Sequence, residues 1–319
     1  MKIVFTALIA LFASLNMFGH GLDSYEDSLQ VKGLKLFGTL SLPAHVHQAV
    51  PLVIIIAGSG PTDRDGNQPG LHPDTYKKLA EQLALAQIAT FRYDKRGAGK
   101  SIAPYMQEAD LRFTDYVEDA NAVIAHFRND TRFNKIIVAG HSEGSLIGMM
   151  ALDPGNDFIS LCGAGQKATL ILKTQLRNQL GDLEASTFKK IDSLENGMKV
   201  TLESPLLFSL FRPSVQPYLI SWFKIDPYTE IKKVKGRILL VGGQQDLQVG
   251  PEQLRMLELS VPNAQTLLFP AMNHALVNIY SNDKAENYAA YNKPEIPLSP
   301  DLVKNIIAFI RNEKTAVSE

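Results

Sequence analysis

The pentapeptide GHSEG (residues 140–144) holds a serine between two glycines, where it could act as a nucleophile. A serine hydroxyl attacks a carbonyl group only when a base removes its proton, and an acid must orient that base. Both partners occur downstream, Asp246 in "VGGQQDLQV" and His274 in "FPAMNHALV". These residues predict acyl transfer with Ser142 as nucleophile, His274 as general base and Asp246 as the orienting acid. The structural alternative is a serine in a tight bend.

Acyl transfer also needs hydrogen-bond donors for the negative charge that develops on the carbonyl oxygen. One donor is expected from the backbone N–H of Glu143, directly after the nucleophile. The second is expected from the turn "AGSGPTDRDG", where the N–H of Ser59 could point inward and that of Gly60 is the alternative. The structural alternative is a turn that only reverses the chain.

The elements around these residues favour the catalytic interpretation. A β-branched strand at 135–139 enters the pentapeptide, and a helix-compatible run at 145–152 leaves it. Asp246 follows a predicted strand at 237–242, and His274 follows one at 265–269. The order of elements therefore predicts that all three side chains lie at the carboxyl ends of strands.

Short β-rich runs alternate along the chain with segments of helical period, which predicts an α/β fold with a mainly parallel central sheet. The sheet should open with a hairpin, and helices should cover both of its faces. The remaining predicted elements are a hairpin at 29–42, strands at 51–57, 89–94 and 158–162, and helices at 73–87, 114–128 (Thr114 as N-cap) and 300–312.

The long interval between the strands at 158–162 and 237–242 is not typical of a single crossover connection. It holds helical segments and the Pro-punctuated stretch "ESPLLFSLFRPSVQPYLISWF". We predict a helical cap at residues 165–232, inserted into a hydrolase core formed by residues 21–164 and 233–319. Trp222, Phe223 and the run 206–211 could line an acyl pocket or form the core of the cap.

Composition limits the range of partners. The 319 residues are 45% hydrophobic and carry a formal net charge of −1, so nothing indicates a nucleic-acid partner. Lys2 and the apolar run 3–15 predict a signal peptide at residues 1–20 and export to the periplasm or beyond, with no membrane span after processing. A buried N-terminal helix or an uncleaved anchor is the alternative. Oligomeric state stays open.

The chain resembles the α/β-hydrolase superfamily, and within it the bacterial esterase-like members. The motifs "GSGPTDRDG", "YDKRGAGKS", "GHSEG", "GGQQD" and "NH" carry this resemblance over roughly residues 30–312. It implies an α/β-hydrolase fold and a carboxylesterase that cleaves small or medium acyl esters through an acyl-enzyme on Ser142. It also implies that no cofactor or metal is needed. Ala57 departs from the pattern, because many relatives have a histidine there.

Several nearby motifs favour structural roles over catalytic ones. Asp94 and Arg96 in "YDKRGAGKS" are expected to form an ion pair that fixes the loop. "GAGKS" lacks the first glycine of a phosphate-binding loop, because Asp94 occupies that position. His141 is expected to point away from the nucleophile and to serve packing.

Two other functions remain open. A serine aminopeptidase or amidase would need a polar or acidic cap site for the substrate amine, and a non-catalytic binding protein would be expected to have lost part of the triad. The acidic candidates in the cap are Glu184, Glu195, Glu203, Asp226 and Glu230.

Overall fold

Among the residues that the structure describes, one sheet of eight strands forms the centre of the protein. The computed structural model describes residues 22–44, 47–281 and 283–313. The strand order is β1-β2-β4-β3-β5-β6-β7-β8, in which β1, β2 and β4 pair antiparallel and all later pairs are parallel. The predicted α/β fold with a mainly parallel sheet is confirmed.

The strands are β1 Leu22–Val31, β2 Leu34–Pro43, β3 Val50–Ile56, β4 Ala89–Tyr93, β5 Phe133–His141, β6 Asp157–Leu161, β7 Ile238–Gly243 and β8 Gln265–Phe269. The first helices are α1 Thr75–Leu85, α2 Phe113–Phe127, α3 Glu143–Ala151, α4 Ala168–Leu176 and α5 Glu184–Glu195. The others are α6 Phe208–Phe211, α7 Gln216–Phe223, α8 Pro227–Glu230, α9 Pro251–Ser260, α10 Lys284–Ala289 and α11 Pro300–Arg311.

The continuous apolar run of β3 is explained by helices on both faces of the sheet. Leu52 and Ile54 belong to one buried cluster, together with residues of α2, α3 and α9. Val53 and Ile55 belong to a second cluster with residues of α1 and α11. Because side chains alternate along a strand, a strand covered on both faces has no polar positions.

The chain between β6 and β7 carries helices α4 to α8 and has a separate buried cluster. Six side chains form it: Ile191, Leu194, Leu207, Phe211, Leu219 and Phe223. Two of the predicted helical segments correspond to α4 and α5. The interpretation of residues 165–232 as a cap stays a prediction.

Two local predictions were wrong. The hairpin begins at Leu22, seven residues before the predicted position 29. The prediction missed this part because β1 is an edge strand whose first half is polar and exposed, so it lacks the apolar pattern of a buried strand. Helix α2 begins at Phe113, and the Asp115 carboxylate accepts the N–H of Arg112 at 2.7 Å, so Thr114 lies inside the helix.

The predicted signal peptide at 1–20 lies outside the described residues. Within the described part of the chain, every helix is too short or too polar to cross a membrane.

Candidate active site

Ser142 occupies a sharp turn between β5 and α3. Its φ of 55° and ψ of −120° are strained for a residue with a side chain. The turn requires both flanking glycines, since a Cβ at Gly140 would lie 2.2 Å from the Gly144 oxygen. A Cβ at Gly144 would lie 2.3 Å from the Ile56 oxygen. The Ser142 N–H donates to the Leu161 oxygen at 2.9 Å, so the backbone of the turn is held against β6.

Asp246 and His274 form a buried pair on loops that follow β7 and β8. Nδ1 of His274 lies 2.7 Å from Oδ2 of Asp246, and each residue is 5% exposed. Oδ1 of Asp246 accepts the N–H groups of Gln248 and Val249, both at 2.8 Å. Burial raises the pKa of Asp246, but His274 and these two N–H groups outweigh it, so the pKa lies below its ordinary value. The carboxylate therefore holds the Nδ1 proton and leaves Nε2 as an acceptor.

The structure brings the predicted triad to one edge of the sheet. Ser142 and His274 line one cavity of about 290 Å³, which we call the histidine-side cavity; Gly58, Ser59, Gln248 and Tyr291 also line it. Among the hydrogen bonds of the described residues, none joins the Ser142 hydroxyl to the His274 ring. Such contacts are often long before a substrate binds.

The loop that follows β3 presents backbone N–H groups that have no acceptor among the described residues. The N–H of Gly58 donates to the Tyr76 hydroxyl at 3.0 Å, and the Gly58 oxygen accepts a hydrogen bond from Lys95. The Ser59 oxygen accepts from Thr62 at 2.8 Å. Within the described part of the chain, the N–H groups of Ser59 and Gly60 have no acceptor, and neither has the N–H of Glu143 at the start of α3. Ser59 and Glu143 are the donors that the sequence predicted for the oxyanion, and Gly60 is the predicted alternative to Ser59.

The side chain of His141 lies closer to the site than the sequence predicted. Its ring centre lies 4.7 Å from that of His274, and it also lines the histidine-side cavity. Nε2 donates to the His274 oxygen at 2.9 Å, which leaves Nδ1 to accept from the Tyr76 hydroxyl at 2.9 Å. Burial lowers the pKa of His141 to about 3, so the ring is neutral. His141 therefore links the loop of Gly58 to the loop of His274, and hydrogen bonds as well as packing hold it there.

A second cavity, of about 260 Å³, opens from the same serine. We call it the apolar cavity; Ser59, Ser142, Glu143 and Gln248 lie at its floor. Its walls come mainly from α3, α4 and the helices before β7: Leu146, Ile171, Leu172, Leu210, Trp222 and Phe223. The predicted run 206–211 divides, since Leu210 lines the cavity while Leu207 and Phe211 are core and Leu206 and Phe208 are exposed.

Acidic side chains of the predicted cap lie elsewhere. None of the five candidates lines either cavity among the described lining residues. Each has another contact: Glu195 with Lys167, Glu203 with Lys190, Glu230 with Lys233, Glu184 with the N–H of Asn178, and Asp226 with the N–H of Tyr228.

The one acidic side chain that lines the apolar cavity is Glu143, within the described residues. Its Oε1 lies 3.2 Å from Nζ of Lys95, and its Oε2 accepts from the Tyr218 hydroxyl at 2.8 Å. Burial and the neighbouring Glu143 raise the pKa of Tyr218, which keeps the phenol protonated as a donor. The Glu143 carboxylate is therefore occupied by protein partners.

The loop after β4 differs from its prediction. Asp94 pairs with Arg64 at 2.7 Å, and Arg96 pairs with Asp119 at 2.6 Å, so the expected Asp94–Arg96 pair was wrong. Lys95, between them, is the residue that sequence reasoning missed. Its position directly after a buried strand, next to β3, was the signal that could have placed it at the site.

A metal is not supported by the residues at this edge. Ligand atoms of His141, Cys162 and His274 lie within 4.8 Å of one another. Nε2 of His141 donates to a carbonyl group, and Nδ1 of His274 is bound to Asp246. Burial also raises the pKa of the Cys162 thiol, which disfavours the thiolate that binds metals.

Comparisons with known proteins agree on the fold. The family described as serine aminopeptidase, S33, matches residues 70–167, a segment that contains Ser142 but ends before Asp246 and His274. A search of curated proteins gave no match.

Solved structures of esterases and peptidases share the architecture. Est1E from Butyrivibrio proteoclasticus, with ferulic acid bound, has a TM-score of 0.57 at 19% identity and covers 83% of this chain and 96% of its own. The esterase Pf2001 from Pyrococcus furiosus has 0.51 at 17%, over 79% and 84%. Proline iminopeptidase from Mycobacterium smegmatis has 0.57 at 14%, over 90% and 98%. The chain therefore has the α/β-hydrolase fold.

Proposed function

We propose that the protein is a serine hydrolase, and specifically a carboxylesterase for small or medium acyl esters. Ser142 is the nucleophile, His274 the general base and Asp246 the acid that orients His274. The backbone N–H groups of Ser59 and Glu143 bind the oxyanion. The observation that carries the proposal is the position of Ser142 between two cavities. His274 of the Asp246–His274 pair lines one of them, Glu143 lines the other, and Ser59 lines both; the N–H groups of Ser59 and Glu143 have no acceptor among the described residues.

The reaction follows from the protonation states of these groups. Nε2 of His274 takes the Ser142 proton, the serine oxygen attacks the ester carbonyl, and the carbonyl oxygen becomes an oxyanion. His274 then returns the proton to the leaving alcohol, which releases it and leaves an acyl-enzyme. A water molecule, activated by the same Nε2, hydrolyses the acyl-enzyme and restores Ser142.

The two cavities suggest how an ester lies across the serine. Because His274 protonates the leaving oxygen, the alcohol portion belongs in the histidine-side cavity. The acyl chain then extends into the apolar cavity, whose walls suit methylene groups. A volume of about 260 Å³ supports a short to medium chain.

Ester preference is supported over aminopeptidase activity by the charge of the site. A free substrate ammonium group buried beside Ser142 would require an acidic partner. Among the described lining residues of both cavities, Glu143 is the only carboxylate, and Lys95 and Tyr218 occupy it. The match to the serine aminopeptidase family keeps the peptidase as the second candidate.

One set of measurements separates these functions. The purified protein and its Ser142→Ala variant are treated with a fluorophosphonate probe, then assayed with p-nitrophenyl esters and aminoacyl-p-nitroanilides. We expect labelling and ester turnover that both depend on Ser142. Faster anilide cleavage would indicate the peptidase, and no labelling of the folded protein would contradict a serine hydrolase and favour a non-catalytic binding protein.

Export stays a prediction from the sequence. Sequencing the N-terminus of the mature protein from a bacterial periplasm would test it. A mature protein that still begins at Met1 would contradict processing.

A further inference from the structure

Lys95 is a buried cation that the proposed reaction does not use directly. It follows β4 and is 2% exposed. Its Nζ donates to the Gly58 oxygen and lies 3.2 Å from Oε1 of Glu143. The Tyr116 ring lies 5.1 Å from the same nitrogen. Burial of a lysine is costly unless the charge is paired and hydrogen-bonded, as it is here.

The contact with Gly58 acts on the proposed oxyanion donor through a single peptide group. The Gly58 carbonyl and the Ser59 N–H belong to the same planar trans unit, so they point in opposite directions. A cation that holds the carbonyl oxygen therefore fixes the direction of the Ser59 N–H. It also withdraws electron density from the peptide group, which makes the N–H a stronger donor.

The contact with Glu143 reaches the second donor. The Glu143 side chain bonds to Lys95 and to Tyr218 of α7, while its backbone N–H is the other proposed oxyanion donor. A Cβ at Gly58 would lie 3.2 Å from Cβ of Ser142, so the two donor segments approach each other at the nucleophile. Both segments are thus attached to one ammonium group.

We propose that Lys95 is a positioning residue of the oxyanion hole, which aligns the N–H groups of Ser59 and Glu143 by binding the Gly58 carbonyl and the Glu143 carboxylate. This role rests on the proposed function of Ser142. A purely structural ion pair between Lys95 and Glu143 is the alternative. It predicts a change in stability without a selective loss of transition-state binding.

Three variants separate the two roles. Glu143→Gln removes the ion pair and leaves the Lys95 side chain as a donor to the Gly58 carbonyl. Lys95→Met removes the donor but leaves a buried carboxylate, which can prevent folding. The double variant Lys95→Met/Glu143→Gln removes both charges, so it tests the lost donor without an unpaired charge.

Lys78→Met is the matched control. Lys78 is half-buried and donates to the Ile296 oxygen at 2.7 Å, so it also binds a backbone carbonyl, but between α1 and the chain before α11. We expect its kcat to equal that of the wild type.

The readouts are kcat and KM with p-nitrophenyl butyrate, the inhibition constant of a trifluoromethyl ketone, and the melting temperature. The ketone adds to the serine and places an oxyanion between the same donors. We expect the double variant to lose roughly 10–100-fold in kcat and to bind the ketone weaker by a similar factor, with KM changed by less than about threefold. Glu143→Gln should lose much less.

Failure of this inference is distinct from failure of the proposed function. If the wild type hydrolyses esters and the folded double variant matches Glu143→Gln in kcat and in ketone affinity, Lys95 has only a structural role. A loss confined to KM would overturn the inference in the same way. If the folded wild type neither turns over esters nor binds the ketone, the proposed function itself is wrong.

Discussion

Replacing Asp246 by asparagine tests the orientation of His274 most directly. Oδ1 of Asp246 accepts two backbone N–H groups, from Gln248 and Val249, so an asparagine must place its amide oxygen there. Its NH₂ group then faces Nδ1 of His274, where Oδ2 now lies at 2.7 Å. The ring must accept at Nδ1 and carry its proton on Nε2. In that tautomer it cannot take the Ser142 proton.

The expected loss follows from the removal of the general base. When the analogous acid of a serine protease is changed to asparagine, kcat falls by roughly 10⁴. We expect Asp246→Asn to lower kcat by about 10³–10⁴-fold, or about 4–5.5 kcal/mol of activation free energy. The oxyanion donors are untouched, so residual turnover should exceed that of water alone.

The assay is ester hydrolysis at pH 7.5, with melting temperature as a check of folding. Asp157→Asn is the matched control, because Asp157 is also a buried aspartate, held by Arg237, but it lies at the start of β6. The control should lose stability and keep its kcat. If folded Asp246→Asn retained kcat within about tenfold of the wild type, the reasoning about the tautomer would be refuted.

Three further predictions concern stability and specificity. The pKa of His141 is about 3 in the folded protein and 6.5 in the unfolded chain, so the folded protein binds fewer protons below pH 6.5. The free energy of unfolding is therefore highest above pH 6.5 and declines as the pH falls towards 3. Between pH 7 and 5 the free energy of unfolding of the wild type, measured with urea, should fall by about 2 kcal/mol more than that of His141→Gln. The same dependence of unfolding free energy on pH in both proteins would contradict this. Gly144→Ala puts a Cβ 2.3 Å from the Ile56 oxygen, so it should cost about 1–3 kcal/mol in the same assay and lower kcat. Ile171→Trp fills part of the apolar cavity and should lower the ratio of octanoate to acetate ester turnover, with an unchanged ratio indicating that the acyl chain lies elsewhere.

Elements whose sequence reflects burial were the most predictable. β3 is apolar throughout because helices cover both of its faces, and its predicted position was correct to one residue at each end. β1 was partly missed because an edge strand pairs on one side only and tolerates exposed polar residues. The start of α2 was displaced because the Asp115 carboxylate, three residues after Arg112, accepts the N–H of Arg112, which makes Arg112 the N-cap in place of Thr114.

Side-chain partners at the site were much less predictable. Asp94 and Arg96 are two residues apart, yet each pairs with a distant residue, Arg64 or Asp119. The sequence around Lys95 and His141 does not show which groups their side chains bind. Their partners come from other strand ends and loops, so they become visible only when the sheet is assembled.

The sequence by itself determined the α/β class and the order of Ser142, Asp246 and His274 after three strands. This was sufficient to bring them together, because parallel strands place their carboxyl ends at one edge of a sheet. Only the tertiary structure decided which groups hold them, since ion pairs depend on the packing of loops that are distant in sequence. The binding of Gly58 by Tyr76 and Lys95 is of this kind. Together these bonds hold the Gly58 peptide group next to Ala57, where many relatives have a histidine.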